Sequence, residues 1–387
     1  MYMNNKPTIC LAIMCKNEEH CIENTLNSLY KHINYWVICD TGSTDRTCEI
    51  IENFFKSKNI PGQLFKDEWV GFDHNKSLMM ERAQYKGDYI LHTDADDILV
   101  GDLDFRETDI GYDCYFLKVK RGGSEWKAFN LFKGDLLWRF CGVAHTTITV
   151  IGQNGYSSGD LTDRDFYVLG EGIGSRSFDP KKYFYDAEKL QKQFFDTLYD
   201  DPYGLNNRSV FYTAQSYMDC GMWKEGLMWN KLYTKLKDTW IEEHFEAQMR
   251  ISKCMMSLGF PIDVIISEMQ KAWEIFPERA EPFHLLGCHL NNHGYYELGY
   301  EYLKKAKKKN FDAVINKYIL FLDPYSYGEY NNHQLIISCF KLNRISECIN
   351  LVKEIRDDPR FIEIKPSVED YFRKCTEKIL MVNDKRG

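Results

Sequence analysis

Short apolar runs alternate with stretches of helical periodicity over the first hundred residues. The apolar runs are Ile9 to Met14, Tyr35 to Cys39, Gln63 to Lys66 and Tyr89 to Thr93. Their length and continuity are typical of strands that are buried on both faces. After the first run, Ile22, Leu26 and Leu29 follow the three- and four-residue spacing of a helix. This strand–helix order predicts a parallel sheet with helices on both faces.

The rest of the chain changes character twice. From Gly111 to Gly170, short β-prone runs separated by glycine-rich turns predict later, partly antiparallel strands of the same domain. After Pro180 the strand signals nearly stop, and Gly221, Gly259 and Gly294 recur at a spacing close to the ~34 residues of a tetratricopeptide repeat. We therefore predict an α/β domain with a mixed sheet at residues 1–180 and an all-helical, hairpin-repeat domain at residues 181–387.

Charge and cysteine usage exclude several classes of protein. The net charge is −8 without a basic stripe, which argues against nucleic acid as a main partner. The 13 cysteines form no CxxC pair, and no apolar run reaches the ~20 residues that span a bilayer. The N-terminus lacks a signal peptide. We therefore expect reduced thiols, no transmembrane segment and a cytoplasmic location.

A cluster of carboxylates directly follows the fourth predicted strand. In an extended segment, residues two apart point to the same side, so Asp94 and Asp96 are expected to face one site. Adjacent carboxylates repel unless a cation lies between them, and their oxygens suit Mg²⁺ or Mn²⁺. Ligands of open α/β sheets bind beyond the carboxyl ends of strands, where Asp40 also lies. A surface acidic turn is the alternative, and the position at two strand ends favours the metal site.

Three motifs occur in the order Ile9-Cys-Leu-Ala-Ile-Met-Cys-Lys-Asn-Glu-Glu19, Val37-Ile-Cys-Asp-Thr-Gly-Ser-Thr-Asp-Arg-Thr47 and Leu91-His-Thr-Asp-Ala-Asp-Asp97. Together they resemble glycosyltransferase family 2, whose catalytic domain has the GT-A fold. The stretches Gly174 to Tyr183 and Trp240 to Glu243 are similar to a subgroup that carries tetratricopeptide-like helices after the transferase domain.

The resemblance implies roles for individual residues. Asp40 would hydrogen-bond the base of the donor, taken to be the uracil of a UDP-sugar. Asp94 would lie near the ribose and the metal, and Asp96 would bind the metal directly. Lys76 stands where relatives usually have arginine and would contact the nucleotide. His145, in a Gly-Val-Ala-His stretch, would complete the metal site, and its imidazole favours Mn²⁺ over Mg²⁺.

One departure from the family leaves the catalytic base open. Relatives often carry a glutamate directly after the histidine, whereas this chain has Thr146. Glu171 and Asp179 are the candidates for a base that deprotonates the acceptor hydroxyl. The cations of the same segment are Arg176, Lys181 and Lys182. They are candidates for contacting the diphosphate, and a basic helix start in solvent is the open alternative.

These features predict a metal-dependent glycosyltransferase that moves a sugar from a UDP-sugar to a hydroxyl group on a glycan or protein, and the family resemblance implies inversion at the anomeric carbon. The helical half is expected to bind the acceptor or to form a homo-oligomer. The alternative is a non-catalytic interaction protein with a vestigial transferase domain, and the intact carboxylates count against it. A sugar-nucleotide pyrophosphorylase would carry a glycine-rich phosphate loop after the first strand, and a Rossmann oxidoreductase would carry GxGxxG after a strand; neither is present.

Overall fold

The computed structural model describes residues 6–105, 110–122, 124–315, 317–356 and 364–384. By its internal contacts, the chain divides into two compact units, Met1–Gly221 and Met222–Gly387. The domain boundary expected at residue 180 stays a prediction. The first compact unit extends beyond it and includes the two helices that follow.

The first unit contains one large mixed sheet. The strands of the first unit are β1 (Ile9–Cys15), β2 (Tyr35–Asp40), β3 (Gly62–Lys66), β4 (Tyr89–His92), β5 (Asp97–Val100), β6 (Cys114–Arg121), β7 (Ser124–Lys133), β8 (Trp138–Cys141), β9 (Thr147–Val150), β10 (Ser158–Asp160) and β11 (Tyr167–Gly170). Its helices are α1 (Ile22–Leu29), α2 (Thr47–Lys58), α3 (Phe72–Ala83), α4 (Lys182–Asp196) and α5 (Asn206–Asp219).

The sheet order is β3-β2-β1-β4-β7-β6-β11-β5, with β10 beside β6. Strands β1 to β4 pair in parallel, while β7 is antiparallel to both β4 and β6. Strands β8 and β9 form a separate two-stranded sheet. The predicted mixed α/β sheet is therefore confirmed, with its parallel strands leading and its antiparallel strands following.

Strand β1 shows why the sheet is buried on both faces. Leu11 and Ile13 pack into one core with residues of α1 and α2, whereas Cys10 and Ala12 pack into a second core with residues of α3. Successive side chains of a strand point to opposite faces. A strand that is covered on both sides must therefore be apolar at every position, as this one is.

A close backbone approach joins β7 to the start of β4. The amide of Gly134 donates to Asp88 O (2.8 Å), and Gly134 O accepts from the amide of Tyr85 (2.7 Å). A Cβ atom at Gly134 would lie 2.0 Å from Gly87 O. Position 134 therefore has no room for a side chain, because a Cβ atom would clash with a backbone oxygen that has little freedom to move.

The second unit is all-helical. Its helices are α6 (Trp223–Tyr233), α7 (Ile241–Ser257), α8 (Ile262–Ile275), α9 (Glu281–Asn292), α10 (Tyr296–Lys307), α11 (Phe311–Ile315), α12 (Glu329–Lys341), α13 (Ile345–Ile355) and α14 (Lys365–Asp384). Successive pairs such as α7 and α8, α9 and α10, and α12 and α13 pack on each other. This confirms the predicted helical-hairpin, tetratricopeptide-like architecture. Among the described residues, no helix is both long and apolar enough to cross a membrane.

Residues with a left-handed backbone conformation, at positive φ, turn the chain between these helices. Gly259 (φ +70°) follows α7 and Gly294 (φ +81°) follows α9, as the recurring glycines predicted. Asn343 (φ +58°) fills the same role after α12, since asparagine tolerates this conformation better than most residues. Between α11 and α12, a short 3-10 turn spans Pro324–Ser326.

Candidate active site

A cavity of about 1080 Å³ opens at the carboxyl ends of the parallel strands of the first unit. Its wall includes the last residues of β1, the turn after β2, the acidic cluster after β4, the turn between β8 and β9, and the start of α4. The ionisable side chains that line it are Lys16, Glu18, Lys76, Asp94, Asp96, Arg121, His145, Arg176, Asp179, Lys182, Tyr183, Tyr185, Asp186, Lys189, Arg208 and Asp219. Carboxylates and cations thus face one space, an arrangement that suits an anionic ligand carrying a cation.

The turns after β1 and β2 hold each other in place. Asn17 has φ +57°, its amide donates to Ser43 Oγ (2.8 Å), and its side-chain oxygen accepts from the amide of Thr44 (2.8 Å). Asp40 is 3% exposed, and its carboxylate accepts from the amides of Gly42 (3.2 Å) and Ser43 (3.0 Å). The carboxylate of Asp40 therefore stabilises the turn that follows β2.

The neighbour of Asp40, Thr41, lines the cavity, whereas Asp40 itself is not among the lining residues. The role of Asp40 in binding the base stays a prediction.

Asp94 and Lys76 form an ion pair at the cavity. Lys76 Nζ lies 3.3 Å from Asp94 Oδ1, and the Asp94 side chain is 66% exposed. The charge of Lys76 lowers the pKa of Asp94. Burial raises the pKa of the adjacent Asp97 to about 7, and the negative charge of Asp94 adds to this effect. Asp94 is therefore the more acidic member of this pair of carboxyl groups.

Asp96 is held by a backbone amide from a distant part of the chain. Its Oδ2 accepts from the amide of Gly174 at 2.8 Å. Between the two aspartates, Ala95 is buried in the core and its carbonyl accepts from Thr25 Oγ1 (2.8 Å). Asp94, Ala95 and Asp96 all line the cavity. The expected extended segment is wrong, because the amide of Asp97 donates to Asp94 O (3.2 Å) and closes a turn over these residues.

His145 lies in the turn between β8 and β9. Its backbone has φ +47°, its ring stacks on Tyr212 with centroids 4.1 Å apart, and its carbonyl accepts from Arg208 Nε (2.9 Å). Histidine at positive φ is uncommon, and such strain is concentrated at functional sites. Both Tyr212 and Arg208 belong to α5, so this helix fixes the histidine.

The three expected metal ligands line one cavity, but their ligand atoms are not close together. Within the described ranges, the group of three whose ligand atoms lie within 4.8 Å of one another is Glu18, His20 and Cys21. Metal binding by Asp94, Asp96 and His145 therefore stays a prediction, and it requires side-chain movement.

The two candidates for the catalytic base, both in the segment before α4, differ in position. Asp179 lines the cavity, and its Oδ1 accepts from the amide of Lys181 (2.9 Å); Glu171 is not among the lining residues. Arg176 forms an ion pair with the buried Asp186, and its guanidinium carbon lies 4.9 Å from the centre of the Phe72 ring.

The remaining cations of this segment differ in position. Lys182 lines the cavity, whereas Lys181 is not among the lining residues. Arg176, Asp179 and Lys182 are thus brought together, and Glu171 and Lys181 are not.

Several lining residues escaped the sequence analysis, among them Glu18, Arg121, Asp186 and Arg208. Glu18 stands in the first family motif, so the pair of glutamates there was a usable signal. Asp186 and Arg208 lie on α4 and α5, which the sequence assigns to the helical half. The local sequence around these two residues gives no indication that they line this cavity.

A sheet with parallel leading strands, antiparallel later strands and an acidic cluster after its fourth strand defines an α/β domain of the GT-A type. Residues 10–104 match the family described as Glycosyl transferase family 2. This match confirms the resemblance seen in the three sequence motifs.

Comparison with solved structures gives low overall similarity. S. aureus TarS 1-349 in complex with UDP is 13% identical, with 67% of this chain and 83% of that chain covered and a TM-score of 0.35. MamA is 15% identical, with 53% and 96% covered and a TM-score of 0.31. TPR-like repeats of a kinesin light chain from Podosopora anserina are 14% identical, with 45% and 86% covered and a TM-score of 0.34. No curated protein matches the chain.

Proposed function

We propose that this protein is a metal-dependent glycosyltransferase that moves a sugar from a UDP-sugar to a hydroxyl acceptor, with inversion at the anomeric carbon. The observation that carries the proposal is the placement of Asp94 and Asp96 in one cavity, at the end of β4. That position lies within the stretch that matches family 2. Glycosyl transfer requires charge to be neutralised on the departing diphosphate, and this cavity offers both carboxylates and cations for it.

The donor set fits a hard divalent cation. Asp94 is charged and exposed enough to turn toward an ion, Asp96 supplies a second carboxylate, and His145 supplies an imidazole that suits Mn²⁺ better than Mg²⁺. When bound, the ion would stabilise the negative charge that develops on the diphosphate. The carboxylates must then exchange their internal partners, Lys76 Nζ and the amide of Gly174, for the ion.

The chain's own residues would bind the donor and move the proton. Asp40 holds the turn whose next residue, Thr41, lines the cavity, and this turn would bind the base of the donor. Lys76, Arg176 and Lys182 would contact the diphosphate. Between the two candidate bases, the cavity favours Asp179, whose carboxylate would accept the proton of the acceptor hydroxyl as that oxygen attacks the anomeric carbon.

The acceptor is a glycan or a protein, and the helical unit is the proposed surface for binding it or for forming a homo-oligomer. We also propose a cytoplasmic location. All 13 cysteines lie in the described ranges and are free thiols, which suits a reducing compartment.

The test is a panel of nucleotide sugars incubated with the protein and MnCl₂ and assayed for release of nucleoside diphosphate. We expect UDP from a UDP-sugar, and we expect Asp96→Asn to lower the rate at least ~100-fold, as loss of a charge-stabilising group does. Asparagine retains an oxygen that accepts from Gly174, so the fold should be preserved. Asp102→Asn, at a carboxylate that is 99% exposed, is the control.

Undiminished turnover by Asp96→Asn would contradict the role of this carboxylate. Absence of both turnover and UDP binding in the wild-type protein would favour the non-catalytic alternative.

A further inference from the structure

Two carboxylates from different strand ends hold two consecutive backbone amides of the segment between β11 and α4. Asp96, after β4, accepts from the amide of Gly174 (2.8 Å), and Glu18, after β1, accepts from the amide of Ser175 (3.0 and 3.2 Å). We propose that Glu18 is a positioning residue that keeps residues 173–176 over the cavity when Asp96 turns to another partner. The catalytic consequence rests on the proposed function, but the contacts themselves do not.

Glu18 is placed for this task by its own surroundings. Its amide donates to Thr47 Oγ1 (2.8 Å), and its carbonyl accepts from the amides of Cys21 (3.0 Å) and Ile22 (2.9 Å), at the start of α1. The residue is only 8% exposed. Its backbone is therefore fixed by hydrogen bonds from both its amide and its carbonyl group.

The carboxylate of Glu18 is extensively hydrogen-bonded. Besides the amide of Ser175, it accepts from Ser175 Oγ (3.1 Å) and from Cys21 Sγ (3.3 Å). His20 Nε2 lies 3.9 Å from the same carboxylate. Burial raises the pKa of Glu18, and the hydrogen bonds from Ser175 and Cys21 oppose that rise. A buried carboxylate is costly unless hydrogen bonds compensate, so Ser175 and Glu18 stabilise each other.

The turn that contains Glu18 contacts the segment at three further points. His20 Nε2 lies 2.7 Å from Ile173 O, and the His20 ring meets the Phe178 ring edge to face at 5.7 Å. Ser175 Oγ lies 2.8 Å from Lys16 O, which shares the one hydroxyl proton of Ser175 with Glu18. The segment is thus attached to the end of β1 independently of Asp96.

This attachment matters because of what the segment carries. Arg176 follows Ser175 directly and lines the cavity, and Asp179 lies four residues after Ser175. Asp96 has one carboxylate for two tasks, the amide of Gly174 and the proposed cation. Glu18 is not among the proposed ligands of that cation, so its carboxylate can hold Ser175, and through it Arg176, throughout the reaction.

The test is hydrogen exchange measured by mass spectrometry on the full chain. In Glu18→Ala, the peptide covering residues 172–178 should exchange about tenfold faster, as loss of one charge-assisted hydrogen bond implies. Glu18→Gln, which keeps an acceptor oxygen and folds more readily, should show a smaller increase. Glu19→Gln is the matched control, because Glu19 accepts from the amide and Nε of Arg46 (3.0 and 3.3 Å) and does not line the cavity.

Peptides from β1 and β4 should exchange as in the wild type in every variant. Unchanged exchange at residues 172–178 in Glu18→Ala, or acceleration spread evenly over the whole first unit, would overturn the proposal. With UDP and MnCl₂ present, the wild type should keep slow exchange in this peptide while Glu18→Ala becomes faster still. Equal acceleration in both proteins would count against Glu18.

Turnover supplies a readout that a merely structural role would not move. Glu18→Ala should lower kcat about tenfold with the donor KM changed less than about twofold, and Glu18→Gln should recover part of kcat. A parallel fall in thermal stability and loss of donor binding would instead indicate simple misfolding and sink the positioning role. If the wild type releases no UDP, the transferase proposal fails and the exchange data alone decide the role of Glu18.

Discussion

At the scale of single residues, Lys76 is notable because it supplies a positive charge beside a carboxylate that is expected to bind a cation. Lys76 Nζ lies 3.3 Å from Asp94 Oδ1. The Lys76 side chain is largely buried, and its Nζ lies 5.5 Å from the centre of the Phe140 ring. When a divalent cation approaches Asp94, repulsion would move the ammonium group away from it. The nearest use for that charge is a phosphate of the donor.

Lys76→Gln should therefore weaken the binding of UDP in the presence of MnCl₂ about tenfold, or about 1.4 kcal/mol. Isothermal titration calorimetry measures the change directly. Lys86→Gln is the control, because Lys86 lines a different pocket and its Nζ lies over the ring of Tyr35. Equal affinities for UDP in wild type and Lys76→Gln would remove Lys76 from the donor site.

A second residue-scale prediction concerns pH and the helical unit. Burial alone would raise the pKa of Glu278, but hydrogen bonds from Lys317 and Tyr318 outweigh it and lower the pKa to about 2. A depressed carboxyl pKa stabilises the fold above the unfolded value near 4.5, and this contribution is lost as the pH falls toward 2.

Glu278→Gln should accordingly lower the free energy of unfolding by about 0.5 kcal/mol at pH 7, a small value because solvent screens this half-exposed pair. The difference from wild type should shrink when chemical denaturation is repeated at pH 3. Glu274→Gln, at a carboxylate that accepts from Gln270 Nε2 (2.8 Å), serves for comparison. A difference that grows in acid would show the sign to be wrong.

Individual residues also show which features of the site can be predicted from the sequence. Asp94 and Asp96 line one cavity, but they do so from a turn that the amide of Asp97 closes, and not from the extended segment that the sequence predicted. The contact between Glu18 and Ser175 joins residues 157 positions apart, and no local pattern encodes it. Similarly, the ion pair of Arg176 with Asp186 appears only after the segment has folded against α4.

At the scale of elements, strands with continuous apolar runs were predictable, whereas β5 was not. Strands β1, β2 and β4 match the expected runs because burial on both faces leaves an unbroken signal. Strand β5 has four residues, of which one is buried, and it directly follows the acidic cluster. The sequence therefore shows no separate apolar run for this strand. The antiparallel insertion of β7 between β4 and β6 depends on long-range pairing, which periodicity does not record.

The meeting of β7 with the start of β4 gives a prediction for a whole element. Gly134→Ala places a methyl group against the carbonyl of Gly87 and should destabilise the protein by about 3 kcal/mol, since backbone atoms cannot step aside. Thermal unfolding followed by circular dichroism would measure the loss.

The matched variant is Gly155→Ala, where φ is +81° but a Cβ atom would meet nothing within 4 Å. It should cost about 1 kcal/mol from backbone strain alone. Equal effects of the two variants would refute the steric explanation.

At the scale of the whole molecule, the first compact unit extends to Gly221. The amide of Val143 donates to Gln193 Oε1 of α4 (2.8 Å), and Arg208 of α5 donates to the carbonyl of His145. Both contacts support the turn between β8 and β9 that carries the candidate histidine. A division at residue 180 would cut through them.

A fragment of residues 1–221 should therefore unfold cooperatively, and a fragment of residues 1–180 should melt at least about 5 °C lower or fail to fold. Differential scanning calorimetry of both fragments gives the comparison. Residues 222–387 should give a helical circular dichroism spectrum when expressed alone. Identical melting of the two N-terminal fragments would show that α4 and α5 add nothing to the first unit.

Because α4 and α5 complete the wall of the cavity, its lining residues come from two separate parts of the chain. Residues 10–104, which match family 2, supply one side, whereas Asp186, Lys189 and Arg208 supply another. Substitutions in these two helices should therefore change the shape and charge of the cavity while leaving the three sequence motifs intact.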